Sequence, residues 1–228
     1  MIQGILFDMD GTLLDTERLY LRCWKQVAKE RGYEAPDALL DQMRGASLAR
    51  GKELFEAHYQ HKLDFWEERN FRQAYVYDEI ERNGVPVKPG VNELFTYLKK
   101  TGIRIALATS TIRDTALMFL GKSGLEKYFD AIVTGDMVQN GKPAPDIFLM
   151  AAERLHLAPA VCAVAEDSRN GVIAGKAAGC TVAYIPDLAK LSEADLASYV
   201  DVVFPRLDAM IPWLEQQREV GFGEDSSK

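Results

Sequence analysis

Cysteine and histidine are scarce in this chain, three of each among 228 residues. Cys23, Cys162 and Cys180 are odd in number, far apart and set among apolar residues. That excludes a disulfide framework and describes buried free thiols in a reducing compartment. His58, His61 and His156 fall in polar helical segments and form no pattern with a cysteine nucleophile. His58 and His61 stand three apart, which two metal ligands on a helix could share, but a solvated helix face explains them as well. Long apolar runs are absent: none approaches the ~20 residues that span a bilayer. The opening Met1-Ile2-Gln3-Gly4 carries no basic stretch with an apolar run behind it. No secretory leader and a cytoplasmic location are therefore expected. Positive charge is also short, 27 Lys and Arg against 34 Asp and Glu, for a formal net charge of −7. This argues against nucleic acid as a partner, because non-specific binding depends on basic patches. It also means that an anionic substrate must meet a local positive charge or a bound cation.

What is present describes an ordinary globular protein, 47% hydrophobic and 27% charged. The stretch GILFDMDGTLLDTERLY (4–20) places two carboxylates, Asp8 and Asp10, between an apolar run and a glycine. Asp10-Gly11 is a strong hairpin signal, since both residues tolerate positive φ. A hairpin needs a second strand. Instead Tyr20, Cys23, Trp24, Val27 and Ala28 follow at the three- and four-residue spacing of a helix face. Asp15 or Thr16 can cap that helix and Gly32 can end it. The stretch reads as strand, acidic loop, helix.

Helical periodicity continues to about residue 82. Pro36 starts a short helix with Leu39, Leu40 and Met43 inward. Ser47 can cap another with Leu48, Leu54 and Phe55 inward, and an aromatic-rich helix runs from about Asp64 to Ile80. Asn83-Gly84 stops it, and VPVKPG (85–90) is rigid and punctuated like a hinge. Beyond it, helices alternate with apolar strands at 103–108, 131–134, 161–165 and 181–185. That implies a parallel α/β sheet covered on both faces. A strand near 202–204 and a helix over 207–217 close the domain, and 221–228 reads as a frayed tail. One strand makes no core, so the first must join the later sheet. We therefore expect a discontinuous α/β domain, 1–14 plus 84–228, interrupted by an all-helical domain, 15–83.

In open α/β sheets, ligands bind beyond the carboxyl ends of the strands. Those ends carry Asp8 and Asp10; Thr109, Ser110 and Thr111; Gly135 and Asp136, with a loop through Lys142 to Pro145; and Glu166, Asp167 and Ser168. Four carboxylates (Asp8, Asp10, Glu166, Asp167) on one edge would repel, and burying them uncompensated is costly, so a cation is implied. An all-oxygen set suits a hard ion such as Mg²⁺. Lys142 is a point charge for an anion, and Thr109 offers a hydroxyl where a helix N-terminus begins. Together these groups describe phosphoryl transfer, where charge stabilisation and positioning dominate. Each member has an ordinary alternative: Lys142 a solvated loop lysine, Thr109 a helix cap, Glu166-Asp167 caps of the helix near 170. The signal is the ordered set, one member at each strand end.

FDMDGTLLDT (7–16), ALATST (106–111), GKPAPDIF (141–148) and AEDSRNG (165–171) resemble the four motifs of the haloacid-dehalogenase-like phosphotransferases. The β-phosphoglucomutase-like branch, through KPAPDIF and EDS, looks nearest. The resemblance implies a Rossmann-like three-layer core with an inserted helical cap. It implies Asp8 as nucleophile and Asp10 as general acid, then base. It places Mg²⁺ on Asp8, the Asp10 carbonyl and Asp167 with Glu166 close by, and phosphoryl oxygens on Thr109, Ser110 and Lys142. Dehalogenases of this family lack the second aspartate, so Asp10 favours phosphate chemistry. Mutases of the branch carry a histidine where Tyr20 stands, usually a valine where Thr12 stands, and a Lys-Gly pair where this chain has Arg44-Gly45. The expected activity is thus a Mg²⁺-dependent phosphatase for a small phosphorylated metabolite, a sugar or polyol phosphate, acting as a monomer or weak dimer. Tyr20, Arg44 and Ser47 are candidate substrate contacts. A β-phosphoglucomutase-type mutase is the alternative. A non-catalytic phosphate-binding protein is another, although such a protein is expected to have lost Asp8 or Asp10.

Overall fold

The first strand, β1 (Gly4–Phe7), is buried along its whole length. The computed structural model describes residues 1–44 and 48–224. After β1 come four helices, α1 (Thr16–Arg31), α2 (Asp37–Met43), α3 (Leu48–His58) and α4 (Phe65–Asn83). Then follow α5 (Val91–Thr101), β2 (Arg104–Ala108), α6 (Arg113–Ser123), β3 (Ala131–Val133), α7 (Asp146–Arg154) and β4 (Cys162–Glu166). The chain ends through α8 (Arg169–Ala177), β5 (Thr181–Tyr184), α9 (Glu193–Tyr199), β6 (Val202–Val203) and α10 (Met210–Glu224). It divides into two compact units: Met1–Leu14 with the chain from Val87 on, and Asp15–Pro86.

The first unit is built on one parallel sheet, ordered β3-β2-β1-β4-β5-β6. β1 lies between β2 and β4, with Phe7 level with Leu107 on one side and Ala165 on the other. The chain builds outward from β1 to β3, then crosses back to start β4 on β1's other flank. This reversal opens a crevice at the carboxyl ends of β1 and β4. Successive strand residues face opposite layers. Leu6, Ala106 and Val164 share a buried cluster with Ile147, Phe148 and Ala151 of α7 and Ala174 of α8. Phe7 packs edge-on against Phe95 of α5, ring centroids 5.1 Å apart. Helices thus cover both faces, and the apolar strands need no alternation.

The turn after β1 is tight but makes no hairpin. Leu13 and Leu14 donate to the Met9 carbonyl at 3.0 and 2.9 Å, and Gly11 donates to Leu14 at 2.9 Å. Leu14 bridges Val87 instead of starting a second strand. The second unit packs Trp24, Leu39, Leu40, Phe55 and Phe65 into its own core.

Several local expectations need correction. Asp15 stands at the start of α1 without capping it; its carboxylate accepts from Arg18 at 2.6 Å. α9 lies where the sequence reading places no element: its Leu196 and Tyr199, three apart, pack half-buried against Val172, Val182 and Tyr184, too short a stripe to mark a helix. α10 starts at Met210 rather than 207 and continues through Glu224, into what the sequence read as tail. The expected Ser47 cap lies outside the described residues. Among the described residues, no helix is long and apolar enough to cross a membrane.

Candidate active site

The site grows from the register of β1 and β4. The Asp8 amide donates to the Ala165 carbonyl at 3.0 Å, so the first residue past β1 lies beside the last residue of β4, Glu166. Lys142, from the loop before α7, reaches between them. Its Nζ is 2.5 Å from Asp8 Oδ1 and 2.7 Å from Glu166 Oε1, and its side chain is only 5% exposed. It is therefore not a solvated loop lysine. Burial pulls its ammonium down, but Asp8 and Glu166 overcome this and hold it above its usual range. Asp8 is pushed up by burial; Lys142 opposes the shift, and Glu166 adds to it. The cluster thus carries more negative charge than one lysine offsets.

The other Glu166 oxygen, Oε2, accepts from the amides of Asp167 (2.9 Å) and Ser168 (2.8 Å) and from the Ser168 hydroxyl (2.9 Å). Ser168 Oγ in turn accepts from the Gly171 amide at 3.1 Å and caps α8. The cap of that helix is Ser168, which frees the acidic pair for the site.

Asp167 is held from the acidic loop. Thr12, fully buried, donates its hydroxyl to Asp167 Oδ1 at 3.1 Å. Gly11 sits at φ +87°, and a Cβ there would lie 2.3 Å from Asp167 Oδ2. Only glycine permits that approach. Asp8, Glu166 and Asp167 each present an oxygen within 4.8 Å of the others, and all three are buried. Three buried carboxylate oxygens around one point, under-compensated by Lys142, fit a hard divalent cation. The Asp10 carboxylate does not join this cluster: its Oδ2 accepts from the Thr111 hydroxyl at 2.7 Å.

Thr109 follows β2, is buried, and accepts the Thr111 amide on Oγ1 at 3.1 Å, leaving its proton to donate. It does not cap a helix, because α6 starts at Arg113 with Ile112 before it. Ser110 beside it is exposed. Thr12, Thr111 and Ser168 are the hydroxyls that hold the acids; the sequence sets Thr111 and Ser168 at strand ends and Thr12 in the acidic motif, but gives none of them this role. Thr12 and Ser168 stand near motif acids in sequence, as many surface hydroxyls do, whereas Thr111 is 101 positions from Asp10.

In the second unit, Arg44 pairs with Asp41 at 2.6 Å and lies 3.9 Å from Glu17. Tyr20 lies under the Arg72 guanidinium, 4.5 Å from its ring centroid. Ser47 lies outside the described residues. His58 meets Tyr59 edge-on, ring centroids 4.7 Å apart, and His61 lies 3.9 Å from Glu56. All three cysteines are free and buried. Burial pushes the thiols of Cys162 and Cys180 up to about 11 and about 12, which excludes them as nucleophiles at neutral pH.

A family model described as haloacid dehalogenase-like hydrolase matches residues 5–185. A Phosphorylated carbohydrates phosphatase of Thermotoga maritima is 38% identical over 78% of this chain and 82% of its own. Hexitol phosphatase A of Escherichia coli is 34% identical over 85% and 89%. Among solved structures, CbbY of Rhodobacter sphaeroides in complex with phosphate superposes with a TM-score of 0.75 at 27% identity, over 92% of this chain and 96% of that one.

Proposed function

The chain belongs to the haloacid dehalogenase-like hydrolase family, and from that premise we propose that it is a Mg²⁺-dependent phosphatase of small phosphomonoesters, sugar or polyol phosphates. The observation that carries the reading is the separation of its two aspartates. Asp8 lies in the buried lysine–carboxylate cluster, and Asp10 lies outside it on a threonine hydroxyl. Two carboxyls in two environments take two roles.

An Asp8 carboxylate oxygen attacks phosphorus. The ester P–O bond breaks, and Asp10 donates a proton to the leaving alcohol oxygen. The resulting aspartyl-phosphate is attacked by water, whose proton passes to Asp10. The bond to Asp8 breaks, releasing phosphate and restoring both carboxyl groups. Lys142 and Thr109, with Ser110 beside them, hold the phosphoryl oxygens. Asp8, Asp167 and the Asp10 carbonyl, with Glu166 alongside, would hold Mg²⁺, which when bound neutralises charge on the incoming phosphate.

Residues 1–14 with 84–228 form the catalytic domain in this reading. The helical domain, 15–83, selects the ester through Tyr20, Arg44 and Ser47. The protein works in the cytoplasm as a monomer or weak dimer. The names of the Thermotoga and Escherichia relatives support a phosphorylated carbohydrate or hexitol as substrate class. Tyr20, where mutases carry histidine, weighs against the mutase reading. Both aspartates are present, which weighs against a non-catalytic one.

The test is incubation with Mg²⁺ and a panel of phosphate esters, β-glucose 1-phosphate included, following free phosphate and isomerised sugar phosphate. Free phosphate from a narrow group of sugar or polyol esters is expected. Conversion to glucose 6-phosphate with little phosphate released would establish a mutase, and binding without turnover would establish a sensor.

A further inference from the structure

Thr111 stands outside every motif role assigned above, yet its side chain holds the Asp10 carboxylate. Its hydroxyl donates to Asp10 Oδ2 at 2.7 Å, across 101 positions of sequence. We propose that Thr111 is the positioning residue for the acid–base carboxyl: it fixes Oδ2 as an acceptor, so that the proton is carried and delivered by Oδ1. The proposal rests on the reading of Asp10 as general acid.

The hydroxyl is aimed by a backbone locked at both ends. The Thr111 amide donates to Thr109 Oγ1 at 3.1 Å. The Thr111 carbonyl accepts from the Gly135 amide, also at 3.1 Å. Gly135 lies so close to the loop that a Cβ there would stand 2.3 Å from the Ser110 carbonyl oxygen. Thr109 is itself tied to β3, donating its amide to the Val133 carbonyl at 3.1 Å. The ends of β2 and β3 therefore fix the main chain of Thr111, and a β-branched side chain is stiff at χ1. A hydrogen bond to Oδ2 is compatible with both states of Asp10 in the cycle, ionised and protonated at Oδ1. Thr111 holds the group through both half-reactions without giving up its own proton. A carboxyl free to rotate would place its proton on the leaving oxygen in only a fraction of encounters, and such misplacement is costly to rate.

An acid matters most where the leaving group is a poor one. Thr111→Val, Thr111→Ser and Asp10→Ala are compared by kcat/KM on a hexitol phosphate, phenyl phosphate and 4-nitrophenyl phosphate. This ratio reports the steps up to release of the alcohol. For Thr111→Val, a loss of roughly tenfold or more on the hexitol phosphate is expected, graded through phenyl phosphate to less than about threefold on the nitrophenyl ester. Thr111→Ser, which keeps the hydroxyl but not the branched Cβ, recovers most of the loss and keeps the same order among the three esters. A loss equal across the three esters, or no loss, with Asp10→Ala still selective, would overturn the role of Thr111 and leave Asp10 as the acid. An Asp10→Ala loss that ignores the leaving group would overturn the Asp10 reading and the proposal with it.

Discussion

Replacing Lys142 by methionine keeps most of the side-chain volume and removes one buried charge. The ammonium touches Asp8 and Glu166 at 2.5 and 2.7 Å, and the lysine side chain is 5% exposed, so solvent screens little of the loss. Breaking a buried pair from one side costs about 3–5 kcal/mol. Burial has already pushed Asp8 up to about 8, so wild type and variant alike bind that proton between pH 5 and 7, and it does not change the difference between them. What the variant loses is the partner of the Glu166 carboxylate. Urea unfolding of metal-free protein at pH 7 should show a loss of about 3–4 kcal/mol. Turnover should fall about 10²-fold or more, because a fixed charge on the phosphoryl group is gone. A loss under about 1 kcal/mol at pH 7 would refute the electrostatic account.

Asp8→Asn should lower turnover by about 10⁴-fold or more while the metal-free protein melts no lower than wild type, since burial already disfavours the charged form; retained activity would remove Asp8 as nucleophile. Chelation should abolish turnover and Mg²⁺ restore it, and Mg²⁺ should raise the melting temperature of wild type but not of Asp167→Asn; an equal rise in both would place the ion elsewhere. Arg44→Ala should change which esters are preferred more than it slows hydrolysis of 4-nitrophenyl phosphate, and uniform loss across esters would count against a role in selection.

The parts of the site set by main-chain position were legible in the sequence. Asp8, Thr109 and Glu166 each follow or end an apolar strand, and parallel strands bring their ends to one edge whatever their side chains do. Lys142 was harder, because a loop lysine before a proline looks the same whether buried or solvated. Its place depends on α7 packing under Ala106 and Val164, a tertiary fact. The roles of Thr12, Thr111 and Ser168 were not legible, although Thr111 and Ser168 stand at strand ends. Each acts through the direction of one hydroxyl, and no periodicity records that direction. α9 is hidden for a different reason: its apolar stripe is only Leu196 and Tyr199, too few residues to set a period.

Asp8 and Asp10 show what the turn contributes beyond residue identity. On a continuing strand, residues two apart share a face, and both carboxyls would enter the same cluster as four competing charges. The chain turns instead. The Met9 carbonyl takes the amides of Leu13 and Leu14, and the Met9 side chain is fully buried. Gly11 adopts a positive φ against Asp167. That bend leaves Asp8 with Lys142 and sends Asp10 to Thr111, the separation on which the proposed division between bond formation and proton transfer rests. The same bend would serve a phosphatase and a mutase equally, since both need a nucleophile and an acid. The difference between the two reactions must come from what accepts the phosphoryl group, water or sugar. The core motifs are common to both reactions, so by themselves they do not specify the substrate.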